Sequence, residues 1–252
     1  MDKDKLMFRV TEYTIKNEKI KTPVRIAQIS DLHEKSFGRK NRILFETVEG
    51  LRPDLVAITG DMIYHSHTKH PNRAYIENVA AWAGGRAFPS FFVTGNHERM
   101  WADYTKAIFT ENGVTVLDGR HVSFTAGGTA LNIGGVDDPT IDAHSAGRLC
   151  FPQDGRFNLL LAHDPLPFRG GYDRTGADLV LCGHTHGGQI RLPGGKALIS
   201  PGSHTLFPQY SDGLYTSGRA AMIISMGLGV SVIPFRLFAP SEVLLIHLVP
   251  SA

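Results

Sequence analysis

Short apolar runs alternate with amphipathic segments along the first two thirds of the chain. Three segments place apolar side chains at helical spacing and predict helices: residues 41–51, 73–83 and 101–112. Five short runs rich in aliphatic or aromatic residues are typical of buried strands: residues 22–29, 55–59, 90–94, 157–162 and 179–182. A helix is also expected between the last two of these strands. This alternation predicts βαβ units, in which neighbouring strands run parallel.

The remaining segments are richer in strand patterns. A strand is predicted over residues 9–16, and a hairpin over residues 122–125 and 130–136. After residue 186 the pattern predicts further strands at residues 189–192, 196–199, 220–225 and 243–248. The late strands indicate a second sheet. We therefore predict a mixed α/β fold, a four-layer αββα sandwich with two mixed β-sheets and flanking helices, as a single domain over residues 1–252.

Composition and charge restrict the classes of partner. The 252 residues include 26 Lys and Arg against 24 Asp and Glu, a formal net charge of +2. Nucleic-acid binding normally requires a larger basic excess or a basic stripe, so no nucleic-acid partner is expected. The sequence shows neither a signal-peptide core nor an apolar stretch long enough to span a bilayer, which favours a cytoplasmic protein.

The candidate chemistry lies where the predicted strands end. Five apolar strands are each followed at once by Asp, Asn or His side chains, which are Asp31 with His33, Asp61, Asn96, His163, and His184 with His186. In open α/β sheets, ligands bind at the carboxyl ends of the strands, so these side chains are expected to converge. Glycines directly before Asp61, Asn96 and His184 allow sharp turns close to the site. Residues spaced as Asp-x-His or His-x-His on extended chain point the same way, so both can reach one centre.

Taken singly, each of these residues is more typical of a turn or a helix cap than of a metal ligand. Five strand ends with the same property have no such common explanation. Buried polar and charged groups must be paired or must coordinate metal, and the set therefore predicts a metal centre.

At these residues the sequence resembles the calcineurin-like metallophosphoesterase superfamily. The family motifs occur in order as Asp31-Leu32-His33, Gly60-Asp61, Gly95-Asn96-His97-Glu98, His163 and Gly183-His184-Thr185-His186. The resemblance implies that Asp31, His33 and His186 hold one metal ion, that Asn96, His163 and His184 hold another, and that Asp61 bridges the two. It also implies that His97 lies beside the metal ions without binding them, and that the fold is a two-sheet αββα sandwich.

Later motifs are similar to one bacterial branch of that superfamily, the phosphodiesterase and UDP-2,3-diacylglucosamine pyrophosphatase-like proteins. They include Gly187-Gly188-Gln189-Ile190, Pro208-Gln209-Tyr210 and Gly227-Leu228-Gly229. Many members of that branch carry an export signal or membrane anchor, which this sequence lacks. The resemblance implies a phosphate-ester substrate, small or lipid-linked, and allows peripheral contact with a membrane.

The expected reaction is hydrolysis of a phosphodiester or pyrophosphate bond by a hydroxide that bridges two divalent ions. The catalytic residues would be His97, as general acid for the leaving oxygen, and the bridging Asp61. Mixed oxygen and nitrogen ligands suit Mn, Fe, Zn or Co, and the resemblance favours Mn. A phosphomonoesterase or protein phosphatase, or a binding scaffold of low activity, remains an alternative, and the sequence leaves the oligomeric state open.

Several other residues are candidates for supporting roles. Glu98, Asp137, Asp138 and Asp164 are candidates for orienting the ligand imidazoles, although surface or turn positions are typical of such residues. Arg236 is a candidate phosphate contact. Six apolar residues could line a substrate pocket or contact lipid, with packing between the sheets favoured: Phe207, Tyr210, Leu214, Tyr215, Phe235 and Phe238.

Overall fold

Two six-stranded sheets form the centre of the protein. The structure is a computed structural model that describes residues 7–64, 70–200, 205–231 and 233–251. With strands numbered in chain order, the first sheet has the order β1-β15-β2-β3-β4-β5. Its strands are β1 (Arg9–Asn17), β15 (Glu242–Pro250), β2 (Val24–Ile29), β3 (Leu55–Thr59), β4 (Ser90–Val93) and β5 (Thr115–Val116).

The second sheet has the order β13-β14-β9-β8-β7-β6. Its strands are β13 (Gly213–Ser217), β14 (Ala220–Ile224), β9 (Leu179–Cys182), β8 (Phe157–Leu161), β7 (Thr129–Gly135) and β6 (Arg120–Ala126). A small third sheet follows the second in the chain and comprises β10 (Ile190–Arg191), β11 (Ala197–Ser200) and β12 (Thr205–Leu206).

The longer helices cover the outer face of the first sheet. They are α1 (Arg42–Gly50), α2 (Arg73–Gly84) and α3 (Ala102–Glu111). α2 begins where the Asn72 side chain accepts a hydrogen bond from the Tyr75 N–H, and its buried face includes Ile76 and Val79. On α3, the Phe109 ring stacks on Phe92 of β4 with centroids 4.1 Å apart. These three helices confirm the predictions made from helical spacing.

Shorter helical segments cover the second sheet and several loops. They are α4 (Ser145–Arg148) and the 3-10 helices Arg39–Asn41, Asn96–Trp101, Leu166–Phe168, Tyr172–Arg174 and His186–Gly188. The helix predicted between β8 and β9 is therefore wrong, because two 3-10 turns stand in its place. Pro165, Pro167, Gly170 and Gly171 explain the difference, since proline and glycine both oppose a continuous α-helix. None of the described helices has the length and apolarity needed to cross a membrane.

An apolar core fills the space between the two large sheets. Fully buried side chains from both sheets meet there, among them Ile26 and Ala57 from the first and Leu131, Leu159 and Leu181 from the second. Two further apolar clusters lie on the outer faces, one beneath α1 to α3 and one beneath the 3-10 turns. The two sheets with helices outside confirm the predicted αββα arrangement.

The C-terminal strand was predicted as a strand, but the expectation that the late strands form the second sheet is wrong for three of the four. β15 belongs to the first sheet and β10 and β11 to the small third sheet, because an alternating pattern does not specify which strands pair. β15 lies between β1 and β2, parallel to β1 and antiparallel to β2. β1 and β2 are close in sequence with a short turn between them, yet they do not pair. A largely buried strand from far along the chain separates them.

This central position predicts a large effect on stability. Leu244 of β15 is fully buried between the sheets, so Leu244→Ala is expected to lower the free energy of unfolding by about 2–5 kcal/mol. Leu214→Ala, on an exposed position of β13, is a matched control that should change it by about 0.5 kcal/mol or less. Urea unfolding measures both values. Equal losses in the two variants would contradict the position assigned to β15.

Candidate metal centre

The strand ends that carry the candidate chemistry meet at one edge of the two-sheet sandwich. β2, β3 and β4 run parallel in the first sheet, and β8 and β9 run parallel in the second. Their carboxyl ends therefore point toward a common edge. All seven residues predicted as metal ligands lie there, within contact of one another.

Asp31, His33 and His186 form one group of potential ligands. The His33 Nε2 and His186 Nε2 atoms are 3.0 Å apart, and Asp31 Oδ1 lies 3.4 Å from His186 Nε2 and 4.0 Å from His33 Nε2. All three residues are buried. Each offers one ligand atom toward a shared point, so the group could hold a metal ion.

Asn96, His163 and His184 form a second group. The Asn96 Oδ1 atom lies 3.1 Å from His163 Nε2 and 2.9 Å from His184 Nδ1, and the two ring nitrogens are 3.3 Å apart. His163 is fully buried, whereas Asn96 and His184 are partly exposed. The centre therefore opens to solvent on the side of this second group.

Asp61 lies between the two groups. Its Oδ2 atom is 3.7 Å from His33 Nε2 and 3.1 Å from His163 Nε2. Its Oδ1 atom accepts a hydrogen bond of 2.8 Å from the backbone N–H of His97. The carboxylate therefore faces potential ligands of both groups while one oxygen is fixed by the backbone.

Backbone carbonyls orient two of the imidazoles. His163 Nδ1 lies 2.7 Å from the carbonyl oxygen of Thr59, and His33 Nδ1 lies 3.3 Å from that of Ile63. A carbonyl can only accept, so each Nδ1 carries a proton and each Nε2 is the ring nitrogen that faces the centre. Asp137, Asp138 and Asp164, the acidic candidates for this role, form their described hydrogen bonds elsewhere.

The electrostatics of the metal-free centre follow from burial and from the mutual proximity of its groups. Burial lowers the pKa of His33 to about 3 and holds the pKa of His186 well below its usual value. Burial opposes the charge on Asp61 as well, yet His163, His97 and His33 together lower the pKa of Asp61 well below its usual value. For Asp31, burial raises the pKa. Burial opposes the charge on His163 too, but Asp61, with Asp31 acting in the same direction, raises the pKa of His163 well above its usual value. The centre thus combines low-pKa imidazoles at His33 and His186 with a charged pair formed by His163 and Asp61.

The backbone of the centre is strained at most of the candidate ligands. Asp31, His33, Asp61, His184 and His186 all have positive φ values, between 47° and 72°. The expectation that the Asp-x-His and His-x-His pairs lie on extended chain is therefore wrong. A non-glycine residue in this region costs on the order of 1–3 kcal/mol, and such residues concentrate at functional sites.

The glycines before the ligands have a steric role, as predicted. A Cβ atom on Gly95 would overlap the Asp61 carboxylate, and one on Gly183 would overlap Ser30 Oγ and Asp31 Oδ2. Both loops can therefore approach the neighbouring carboxylates only because no side chain intervenes.

Glu98 holds the loop that carries Asp61. Its fully buried carboxylate accepts hydrogen bonds from four backbone N–H groups: Oε2 from Asp61 and Gly95 at 2.8 and 2.7 Å, and Oε1 from Met62 and Ile63 at 2.8 and 3.2 Å. Burial raises the pKa of Glu98 to about 8, with Asp61 acting in the same direction and the N–H donors opposing both. The sequence placed Glu98 in the Gly-Asn-His-Glu motif, but only the structure shows that it binds the backbone and not an imidazole.

His97 lies beside the centre at its partly exposed side. Its Nε2 atom is 4.0 Å from Asp61 Oδ2, and its ring centroid is 4.5 Å from that of His33. Tyr64 lies nearby, with its ring centroid 5.7 Å from that of His97. His97 therefore borders the potential ligands and reaches the solvent from which a substrate would enter.

Arg236 differs from its predicted role as a phosphate contact. Its guanidinium is largely buried and donates to the carbonyls of Met226 and Gly229 at 2.8 Å, and to those of His186 and Ala239 at 3.3 Å. Its Nη2 atom also lies 3.2 Å from His186 Nδ1. Arg236 thus fixes the loop behind His186.

The predicted packing of the six apolar residues between the sheets is wrong for most of them. Phe207, Leu214, Phe235 and Phe238 are exposed. Tyr210 is buried, and its ring packs at right angles to that of Tyr215, with centroids 4.9 Å apart. Tyr210 belongs to the cluster outside the second sheet and not to the core between the sheets.

The residues present fit a pair of divalent metal ions. The two groups and Asp61 direct their potential ligand atoms into one region. These atoms are imidazole nitrogens, carboxylate oxygens and the amide oxygen of Asn96. This mixed nitrogen and oxygen set matches the preferences of Mn, Fe, Zn and Co. Two carboxylates buried this closely together carry like charges that a cation would offset, so the chemistry of the set itself favours metal.

The contacts of Glu98 lead to a stability prediction. In Glu98→Gln one acceptor oxygen becomes an NH₂ group that faces two backbone N–H donors. We expect the free energy of unfolding to fall by about 2–5 kcal/mol, because two buried N–H groups lose their acceptor. Glu46→Gln removes an exposed carboxylate paired with Arg42 on α1 and should cost about 0.5 kcal/mol or less. Chemical denaturation measures the free energy of unfolding of both variants. If Glu98→Gln proves as stable as Glu46→Gln, the Glu98 carboxylate does not hold the Asp61 loop.

Comparisons with known proteins agree with this geometry. A model of the family described as calcineurin-like phosphoesterase matches residues 24–188. The uncharacterized metallophosphoesterase YkuE of Bacillus subtilis is 29% identical over 246 residues, which cover 94% of this chain and 84% of that protein. An uncharacterized metallophosphoesterase of Helicobacter pylori is 30% identical over 257 residues, which cover 96% of this chain and 64% of that protein.

Solved structures support the fold. The NAD nucleotidase of Haemophilus influenzae superposes with a TM-score of 0.52 at 16% identity, covering 82% of this chain and 46% of that chain. The phosphopantetheinyl hydrolase of Mycobacterium tuberculosis gives a TM-score of 0.50 at 15% identity, covering 79% of this chain and 88% of that chain. The family match covers more than half of the chain and leads to one conclusion: the chain belongs to the calcineurin-like phosphoesterase family and is a metallophosphoesterase.

Proposed function

We propose that this metallophosphoesterase hydrolyses a phosphodiester or pyrophosphate bond at a centre of two divalent metal ions. Asp31, His33 and His186 hold one ion in this proposal. Asn96, His163 and His184 hold the other, and Asp61 bridges them.

The position of Asp61 is the observation that carries the proposal. Its Oδ2 atom approaches His33 of the first group and His163 of the second within 4 Å. The same oxygen makes both approaches, because Oδ1 accepts the hydrogen bond from the His97 N–H, and one carboxylate oxygen can contact two neighbouring ions. A single ion would need only one of the two groups, whereas this arrangement supplies ligands for a pair.

The donor set supports Mn, Fe, Zn or Co, and we propose Mn as the first choice. No sulfur ligand takes part, because Cys182 is buried in the cluster outside the second sheet and Cys150 is exposed. When bound, a pair of such ions supplies an activated water and neutralises charge on the phosphoryl oxygens.

The chain's own residues provide the remaining steps. In this proposal His97 gives a proton to the oxygen of the leaving group, and its partly exposed position beside Asp61 supports that role. Glu98 and the Gly95 backbone keep Asp61 and Asn96 at fixed positions. Arg236 keeps His186 directed toward the first group.

Removal of a ligand tests the metal centre. We expect His184→Ala and Asp61→Ala to reduce hydrolysis of bis-p-nitrophenyl phosphate in the presence of Mn by more than about 100-fold. Loss of a residue that only hydrogen-bonds to a metal ligand typically costs about 10–100-fold, and loss of the ligand itself should cost more. Bound Mn per chain, measured by elemental analysis, should fall in parallel. A chelator should abolish wild-type activity, and added Mn should restore it.

His121→Ala is the matched control, because His121 is exposed and lies on β6 away from the centre. It should retain wild-type activity and metal content. Full activity in Asp61→Ala or His184→Ala would exclude the proposed mechanism. Faster hydrolysis of p-nitrophenyl phosphate than of the diester would instead identify a monoesterase, and negligible activity on both would identify a scaffold.

The role of His97 gives a separate prediction. His97→Gln should retain bound Mn but lower kcat about 10²–10⁴-fold for esters with alkyl leaving groups, because these need a proton from a positioned acid. The loss should be much smaller for p-nitrophenol, which leaves readily as an anion. His121→Gln serves as the control. An equal loss for both classes of leaving group would contradict an acid role.

A further inference from the structure

An apolar cavity adjoins the candidate metal centre on the side of the second ligand group. Its volume is about 360 Å³, within the range of small-molecule sites. His184, a proposed ligand, lines it together with the adjacent Thr185. The apolar residues that line it are Pro165, Leu166, Leu206, Phe207, Pro208 and Tyr210.

The walls of the cavity come from two segments that meet at His184. One is the turn that follows His163, with Pro165 and Leu166. The other is the segment that begins at β12 and includes Phe207. The first segment follows His163 directly in the chain, and the second is hydrogen-bonded through Ser211 to Thr185, the residue after His184. A group held in the cavity would therefore lie beside the second ligand group.

The floor of the cavity is fixed, while its rim is exposed. Tyr210 is buried against Phe168 and Tyr215. The Thr185 hydroxyl donates to the Ser211 carbonyl, which ties the floor to the chain after His184. At the rim, Leu166, Leu206 and Phe207 are 54%, 66% and 52% exposed.

The chemistry of this cavity differs from that of the metal centre. Among the lining residues in the described part of the chain, none is Lys, Arg, Asp or Glu. At the rim, the Lys196 Nζ atom lies 4.7 Å from the centroid of the Phe207 ring, a cation–π contact that favours one ring position. Exposed apolar side chains around a preformed cavity indicate an apolar ligand.

We infer that this cavity binds an apolar alcohol group of the substrate. The inference rests on the proposed function and narrows its substrate class to phosphodiesters that carry at least one alkyl or aryl group beside the scissile bond. His184 belongs to the centre and also lines the cavity, so one substrate can contact both. The phosphorus would then lie at the metal ligands and the apolar group in the cavity.

A series of p-nitrophenyl phosphodiesters tests the inference, with methyl, butyl or octyl as the second alcohol and all kept below micelle-forming concentrations. In the wild-type protein loaded with Mn, kcat/KM should rise by up to about fourfold per methylene buried, until the cavity is full. In Phe207→Ser and Leu206→Ser, the ratio of kcat/KM for the octyl ester to that for the methyl ester should fall at least about tenfold.

Phe238→Ser is the matched control. Phe238 is 62% exposed, and its φ of 54° matches the 52° of Phe207, but it lines a separate surface depression with Lys35 and Phe235. This variant should keep the wild-type ratio and the wild-type rate. A fall in the ratio equal to that of Phe207→Ser would assign the effect to general surface apolarity, and the inference would be wrong.

Binding of non-hydrolysable alkyl phosphonates separates this inference from the proposed function. Calorimetric affinity for octyl phosphonate should exceed that for butyl phosphonate in the wild type, with a negative heat-capacity change, and the difference should shrink in Phe207→Ser. If no diester is hydrolysed but this pattern holds, the proposed function fails and the cavity assignment stands. If the diesters are hydrolysed without dependence on chain length, or the phosphonates bind equally, the cavity assignment is overturned.

Discussion

The electrostatic cost of burying Asp31 and Asp61 is the constraint on which the rest of the site depends. Both carboxylates are almost fully enclosed, and an ionised carboxylate in such a place must be compensated by hydrogen bonds, opposite charge or metal. Backbone N–H groups of His184 and His97 supply part of the compensation. The surrounding imidazoles supply another part, and they leave nitrogen lone pairs that suit divalent cations. The architecture of the two sheets serves to bring these groups to one edge.

This compensation requires backbone conformations that the chain would otherwise avoid. Five of the seven proposed ligands lie in the left-handed region, and their strain must be offset by surrounding contacts. The Glu98 carboxylate, the Arg236 guanidinium and the close approach of Gly95 and Gly183 are such contacts. These residues therefore hold the ligands in place before any cation binds.

Much of this could be predicted from the sequence, because it follows from local patterns. Alternating strands and helices indicated parallel strands, and polar residues directly after apolar strands gave the seven residues that meet at one edge. Which strands share a sheet was not predicted, because the late strands fall in three different sheets. Partners without a sequence signature could not be predicted. The carbonyls of Thr59 and Ile63 orient imidazoles, but every residue has a carbonyl. The positive φ of Asp31 and the exposure of Phe207 depend on how distant loops meet, and periodicity does not report that. Arg236 could be recognised as a cation near the site, but not as one whose donors are used by the loop.

The insertion of β15 between β1 and β2 has a consequence for how the protein is made. During synthesis, β2, which carries Asp31 at its end, is made long before β15, its partner on one side. Until residues 242–250 are available, β2 has an open edge and the space between the sheets lacks Leu244 and Ile246. Pairing across such a sequence separation is slow, and an uncovered strand edge can pair with other chains. Completion of the first sheet, and with it the final positioning of Asp31, therefore waits until β15 has been made, and the nascent chain is most exposed to aggregation before that point.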